Sequence, residues 1–244
     1  LWHQGRKGIK NKLEKNDHFG EVLASGDFDA DGYADLAVGI PFENLGSVRD
    51  AGAVQVLYGS AAGLTARDQV WHQGKPGVPG NSERDDSFGY ALAAGDVDGD
   101  GHDDLAIKVA GEADSRPSYY RRNSAVHLLK GSPTGLTSTG SQYILAEDIV
   151  DLPDGFRFTL AFGDFNRDGR ADLVLAAVEP ILAVLHGHPD GLHPAKLSQA
   201  TTPGEDAWWP VSGDFETWGT QDVAVGDVNG DGYADVIVGA PWYL

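Results

Sequence analysis

Four short runs of this chain are near copies of one another, each with Asp or Asn at positions 1, 3 and 5, Gly at 6 and Asp at 9. They are Asp27-Phe-Asp29-Ala-Asp31-Gly-Tyr33-Ala-Asp35, Asp96-Val-Asp98-Gly-Asp100-Gly-His102-Asp-Asp104, Asp164-Phe-Asn166-Arg-Asp168-Gly-Arg170-Ala-Asp172 and Asp227-Val-Asn229-Gly-Asp231-Gly-Tyr233-Ala-Asp235. Their first residues stand 69, 68 and 63 positions apart. Self-similarity at a fixed period demands a repeat architecture, in which each unit is one small motif that buries its apolar face only against its neighbours.

The rest of each unit repeats as well. A short apolar stretch follows every run: Leu36–Val38, Leu105–Ile107, Leu173–Leu175 and Val236–Val238. A second, Ala53–Tyr58, Ala125–Lys130 or Ile181–His186, leads into Gly-x-x-x-Gly-Leu. Other segments precede the runs (Phe19–Ala24, Phe88–Ala93) or close the unit (Gln69–Gly74). Stretches this short, β-branched and bounded by turn residues read as strands, and no segment shows a helical period. Four strands per unit predict an all-β fold, a β-propeller of four-stranded antiparallel blades. The expected divisions are an outer strand of a preceding or shared blade in 1–18, units at 19–87, 88–155 and 156–217, and a partial unit at 218–244.

Oxygen-bearing side chains at alternating positions converge on one point when the backbone turns sharply, and Gly supplies that turn. The expected ligands are Asp27, Asp29, Asp31, Tyr33 and Asp35; Asp96, Asp98, Asp100, His102 and Asp104; Asp164, Asn166, Asp168, Arg170 and Asp172; and Asp227, Asn229, Asp231, Tyr233 and Asp235. The seventh residue would act through its backbone carbonyl, which leaves its side chain free to vary. Such shells suit Ca²⁺ better than Mg²⁺, which dehydrates reluctantly. About four structural ions follow. An EF-hand is excluded by spacing: its twelfth position is a bidentate Glu, whereas Val38, Ile107, Leu175 and Val238 stand there. A single Asp-Gly run would read as an ordinary turn; four with identical offsets do not.

Composition sets the remaining bounds. The 244 residues carry 18 Lys+Arg against 37 Asp+Glu, a net charge of −19, which speaks against nucleic acid as partner. No Cys is present, so disulfides and thiolate metal sites are out. No apolar run reaches the length of a membrane-spanning helix. With no Met, Leu1 is expected to be an internal residue of a processed or longer chain.

The runs, with Phe19-Gly20 and Phe88-Gly89 and with Gly39-Ile-Pro41 and Gly239-Ala-Pro241, resemble the FG-GAP repeats of the integrin α-subunit propeller and its bacterial, secreted relatives. Unit three departs from the pattern at Phe156-Arg157, unit four at Gly219-Thr220. Lys108-Val-Ala110 and Ala176-Ala-Val178 replace the Gly-x-Pro element in units two and three. The resemblance implies calcium loops between first and second strands that stiffen the ring, with macromolecular partners bound elsewhere. It implies a secreted or cell-surface, calcium-stabilised module for adhesion or for lectin-like binding of a protein or glycan. The alternative is the propeller portion of a secreted hydrolase or lyase. No sequon of the Asn-x-Ser/Thr type occurs.

Catalytic motifs are missing: Gly59-Ser60-Ala-Ala-Gly63 has the wrong spacing for a nucleophile elbow, so the chain's own residues are expected to be non-enzymatic. His186, His188 and His193 could ligate a transition metal, but they align with variable strand-end positions and read as surface. Trp2 and Trp71 occupy equivalent positions and read as blade packing, while Trp208-Trp209 and the Arg116–Arg122 stretch with Tyr119-Tyr120 are candidate exposed contacts. Leu1-Trp-His-Gln-Gly5 repeats Val70-Trp-His-Gln-Gly74, so the chain is expected to open on an outer strand and to close after the second strand of unit four. That count favours membership of a larger ring, with blades from another chain or from sequence beyond this one, over a defective four-bladed ring. A seven-bladed integrin-like ring would need roughly 450 residues at this repeat length.

Overall fold

The computed structural model describes residues 2–113, 122–149, 158–177, 182–194 and 223–238. Among them, β1 (Leu23–Gly26), β2 (Asp35–Ile40), β3 (Ala53–Leu57) and β4 (Asp68–Trp71) pair in that order into one antiparallel sheet. A second sheet contains β5 (Leu92–Gly95), β6 (Asp104–Ala113), β7 (Arg122–Lys130) and β8 (Thr137–Leu145), followed by one helical turn, α1 (Ala146–Ile149). The third contains β9 (Phe158–Gly163), β10 (Asp172–Ala177), β11 (Leu182–His188) and β12 (Gly191–Pro194). β13 (Val223–Gly226) and β14 (Asp235–Val238) form a two-stranded sheet. Within each sheet every strand pairs with its successor, and the first strands of successive sheets pack side by side. These are the four-stranded meanders of a propeller.

Burial explains why the units need one another. One core cluster joins Val54, Val56 and Tyr58 of the first blade to Phe88, Leu92, Leu105 and Ile107 of the second. Another joins Val126 and Leu128 to Phe158, Leu160, Leu173 and Leu185 of the third. The apolar faces meet between blades, so no blade could close its core alone. The second residue of the first two runs contributes: Phe28 and Val97 are fully buried against the following blade, whereas Val228 in the fourth run is exposed.

Several expectations shift. Residues 2–5 form a turn rather than an outer strand, because the equivalent strand β4 already ends at Trp71, before His72-Gln73-Gly74. The equivalence itself holds in the side chains: Arg6 lies over the Trp2 ring at 3.9 Å and Lys75 over Trp71 at 3.5 Å. The Phe-Gly pairs stand in the turn before the first strand instead of within it. Gly20 and Gly89 take φ of 88° and 90°, and their N–H groups donate to Gly39 and Lys108 carbonyls. In unit two Lys108 replaces glycine and is buried; its ammonium donates to the Phe158 carbonyl at 2.8 Å, tying blade two to blade three. The helical turn α1 was not foreseen, being a single turn without a period. The Arg116–Arg122 side chains, Trp208-Trp209, Trp218, Trp242, the Gly239-Ala-Pro241 element and the closure of the ring lie outside the described residues.

His127 is a costly residue to bury. It is fully buried between the rings of Phe88 and Tyr143, and neither ring nitrogen has a hydrogen-bond partner. Burial holds its imidazole down at about 4 against an ordinary 6.5. The unfolded chain therefore takes up the proton first, and stability is lost as pH falls from 6.5 to 4. That interval corresponds to about 3 kcal/mol. His127→Leu should remove this acid loss, so that its stability advantage over the wild type grows by about that amount between pH 7 and pH 4. Urea midpoints of both proteins across the interval, at constant calcium, check it.

Candidate metal centre

Each Asp-rich run joins the first and second strands of its sheet, from Gly26 to Asp35 and from the equivalent glycines to Asp104, Asp172 and Asp235. The four loops share one hydrogen-bond plan. The first Asp accepts from the backbone N–H groups of positions 5 and 6: Asp27 from Asp31 and Gly32 at 3.1 and 2.9 Å, Asp164 from Asp168 and Gly169 at 3.1 and 2.9 Å. Asp96 and Asp227 do the same and also accept from position 4. The fifth residue accepts from the N–H of the seventh in all four, at 2.8–2.9 Å. Position 6 has φ of 82–89°, the reason for its invariant glycine. Position 4 is left-handed too, at Ala30, Gly99, Arg167 and Gly230, which sequence reasoning missed because only two of these are glycine.

The ninth residue does most to hold the site. One oxygen of Asp35 accepts from Phe28 N–H at 2.9 Å, inside its own loop, and the other from Gly59 N–H at 2.7 Å, at the exit of β3. Asp104 accepts likewise from Val97 and Gly131, and Asp172 from Phe165 and Gly187. Asp235 accepts from Val228. The close approach explains the first glycine of Gly-x-x-x-Gly-Leu: a Cβ at Gly131 would meet the Asp103 carbonyl oxygen at 2.5 Å, and one at Gly187 the Ala171 oxygen at 2.6 Å.

Successive loops are also joined to each other. The eighth residue donates its N–H to the carbonyl of the first residue of the preceding loop: Asp103 to Asp27, Ala171 to Asp96 and Ala234 to Asp164, at 2.8–3.0 Å. The four sites thus form a backbone-bonded series on one side of the molecule.

The residues present fit a divalent cation. Asp27, Asp29 and Asp35 bring one oxygen each within 4.8 Å of one another, as do Asp96, Asp98 and Asp100. Asp29 Oδ1 is buried with no hydrogen-bond donor. Burial pushes the Asp35 and Asp104 carboxyls up to about 6 despite the backbone donors, so an ionised carboxylate there is penalised until a cation joins it. In two blades the protein supplies a cation itself. The Lys130 ammonium lies 2.6 Å from both Asp98 and Asp104, while Arg67 pairs with Asp29 and donates onward to the Thr134 carbonyl of the next blade. In the third, His186 Nδ1 lies 3.2 Å from Asp172. No sequence motif announced these partners, which come from the neighbouring strands of the same blade.

A family model described as FG-GAP repeat matches residues 19–57, 88–129 and 219–244. The chain carries FG-GAP repeats. Unit three falls outside those matched stretches, yet it has the same meander and the same loop bonds as the FG-GAP units on either side. Among curated proteins, phosphatidylinositol-glycan-specific phospholipase D of Rattus norvegicus is 37% identical over 210 residues, covering 82% of this chain and 24% of its own length. Integrin alpha-3 of Cricetulus griseus is 40% identical over 92 residues, 36% of this chain and 8% of its own. Integrin alpha pat-2 of Caenorhabditis elegans is 27% identical over 186 residues, 67% of this chain and 13% of its own. The chain spans about a quarter of the phospholipase and less of the integrins. Among solved structures, the rhamnogalacturonan lyase YesW superposes with a TM-score of 0.51 at 17% identity, over 89% of this chain and 39% of that one, a likeness of fold.

Gly131→Ala tests the scaffold of the second loop. Its Cβ meets two elements of that loop, the Asp103 carbonyl and His102 Cβ, neither of which can retreat freely. The expected loss is about 1–3 kcal/mol, the range of overpacked sites. Chemical denaturation of the variant checks it.

Proposed function

We propose that this FG-GAP chain is a calcium-stabilised, extracellular or cell-surface propeller segment that serves as a binding or adhesion module for a protein or glycan partner. The observation that carries the reading is the convergence of Asp27, Asp29 and Asp35 around a buried, undonated oxygen, on a loop plan repeated four times. Calcium would be held in each loop by the side chains at positions 1, 3, 5 and 9 and the carbonyl at 7. It would supply fixed positive charge that offsets crowded carboxylates, a structural and not a chemical service. Weak sites of this kind stay filled at the calcium levels found outside cells. Similarity to integrin alpha subunits supports the adhesion side of the proposal.

A second reading has a specific observation behind it, the 37% identity with a phospholipase over 82% of the chain. On this reading the propeller is one part of a secreted hydrolase or lyase whose catalytic residues lie in another part of the protein. A glycan and extracellular-protein array, run beside a phosphodiesterase and polysaccharide-lyase panel on the same sample, separates the two. Turnover by this chain alone would overturn the module reading.

Calcium has its own test. Titration of chelated protein should find up to four sites, and chelation should lower the melting temperature, with Ca²⁺ restoring it better than Mg²⁺. Each filled site stabilises by roughly 2.7 kcal/mol at a hundredfold excess over Kd. An unchanged melting curve in chelator would leave the loops as hydrogen-bonded turns. Sequence alone ranks loops one and two above the Asn-bearing three and four, but in loop two the Lys130 ammonium already pairs with Asp98 and Asp104 and would compete with an ion for them. Lys130→Met should therefore lower the melting temperature without calcium and raise the affinity of loop two for it. Calorimetry on the single variant decides the order.

A further inference from the structure

We propose that the turn of the third blade's outer hairpin is a zinc site formed by His188, Asp190 and His193, separate from the oxygen-lined loops. β11 and β12 are joined by only Pro189 and Asp190, and their register pairs His186 with His193 and His188 with Gly191. Cross-strand partners share a face, so His186, His188 and His193 stand on one side of the hairpin while Leu185, Gly187 and Leu192 are buried on the other. Asp190, in the turn, swings its carboxylate back under the two outer imidazoles. Its Oδ1 is hydrogen-bonded to His188 Nδ1 and lies 2.8 Å from His193 Nε2. The ring centroids of the two histidines are 4.8 Å apart.

Donor chemistry selects the ion. Two imidazole nitrogens and one carboxylate oxygen form a borderline set that suits Zn²⁺, whereas Ca²⁺ takes six to eight oxygens. Ligand atoms around tetrahedral zinc lie about 3.3 Å apart, given bonds near 2.0–2.1 Å. The three atoms here already lie within 4.8 Å of one another, so rotamer adjustment alone closes the site. Three protein ligands leave a coordination position open to water or to a donor from a partner. His186 is not among them, since its Nδ1 faces Asp172 of the third loop.

The hairpin is anchored, which gives the site its pre-organisation. Gln142 of β8, in the preceding blade, accepts from Leu192 N–H at 2.6 Å and donates to the Leu192 carbonyl at 3.2 Å. Gly191, with φ of 124°, lies so close to that amide that a Cβ would meet its oxygen at 2.3 Å. The turn is thus held by a second blade while its three polar side chains face solvent.

Zinc titration by calorimetry, in millimolar Ca²⁺ to keep the oxygen loops filled, tests the site. The wild type should show one zinc site that His188→Ala, His193→Ala or Asp190→Asn each weakens by at least the roughly tenfold that even an outer-shell partner is worth. His18→Ala, an exposed histidine paired with Glu21, should not change it. Calcium titration and circular dichroism of the variants should match the wild type. Cu²⁺ as a probe should show two-nitrogen hyperfine structure that loses one nitrogen in either histidine variant. Zinc binding that survives these substitutions, that fails equally in His18→Ala, or that is absent at sub-millimolar zinc overturns the proposal.

Discussion

The carboxylate at the ninth position of each run is the group on which the blade depends. In blades one to three its two oxygens accept from two different parts of the chain, the N–H two residues into the run's start and the N–H at the exit of the third strand. It therefore fixes the loop against the sheet, and it does so while buried: Asp35 and Asp104 are 1% exposed and Asp172 fully enclosed. A buried anion satisfied by two neutral donors is still short of charge compensation. That shortfall makes a cation at the loop more than an ornament. It also explains why the loops sit beside Lys130, Arg67 and His186 in the absence of any motif requiring a base there.

The same geometry transmits from blade to blade. The first carbonyl of loops one to three receives the N–H of the next loop's eighth residue, and the second side chains of loops one and two, Phe28 and Val97, fill the interfaces that follow. Polar and apolar couplings run in the same direction around the molecule. Distorting one loop would move both its hydrogen-bonded neighbour and the packing beneath it. A propeller of this kind is stabilised by nearest-neighbour terms, as expected for a repeat array whose cores lie between units.

Periodicity made the architecture legible. Spacings of 69, 68 and 63 residues located every loop, and the apolar stretches after them became β2, β6, β10 and β14. What escaped was whatever depended on approach rather than on pattern. Phe19-Gly20 looked like the start of a strand because phenylalanine favours one, but the positive φ of Gly20 turns the chain first. The glycines at 59, 131 and 187 were visible as a motif, while their cause, a loop carbonyl within 2.3–2.6 Å of any added Cβ, is a contact between elements. Asp190 was invisible among the histidine candidates because a Pro-Asp-Gly sequence reads as a turn; only the register shows that the turn delivers its carboxylate to the face bearing His188 and His193.

The loops are alike in backbone and unlike in charge, and the difference bears on what each can do. In loop two an ammonium stands 2.6 Å from the third- and ninth-position carboxylates, so a divalent cation would compete with it for both. In loop one the guanidinium of Arg67 engages only one oxygen of Asp29 and is anchored in the next blade, leaving the other Asp29 oxygen, with Asp27 and Asp35, open to an ion. Loop three offers a carboxamide at position 3 and an imidazole at its edge, which carries no fixed charge when neutral. Identical hydrogen-bond plans thus coexist with graded needs for an external cation. Since the loops are bonded in series, the loop with its own lysine can hold the register of neighbours whose carboxylates have no ammonium of their own.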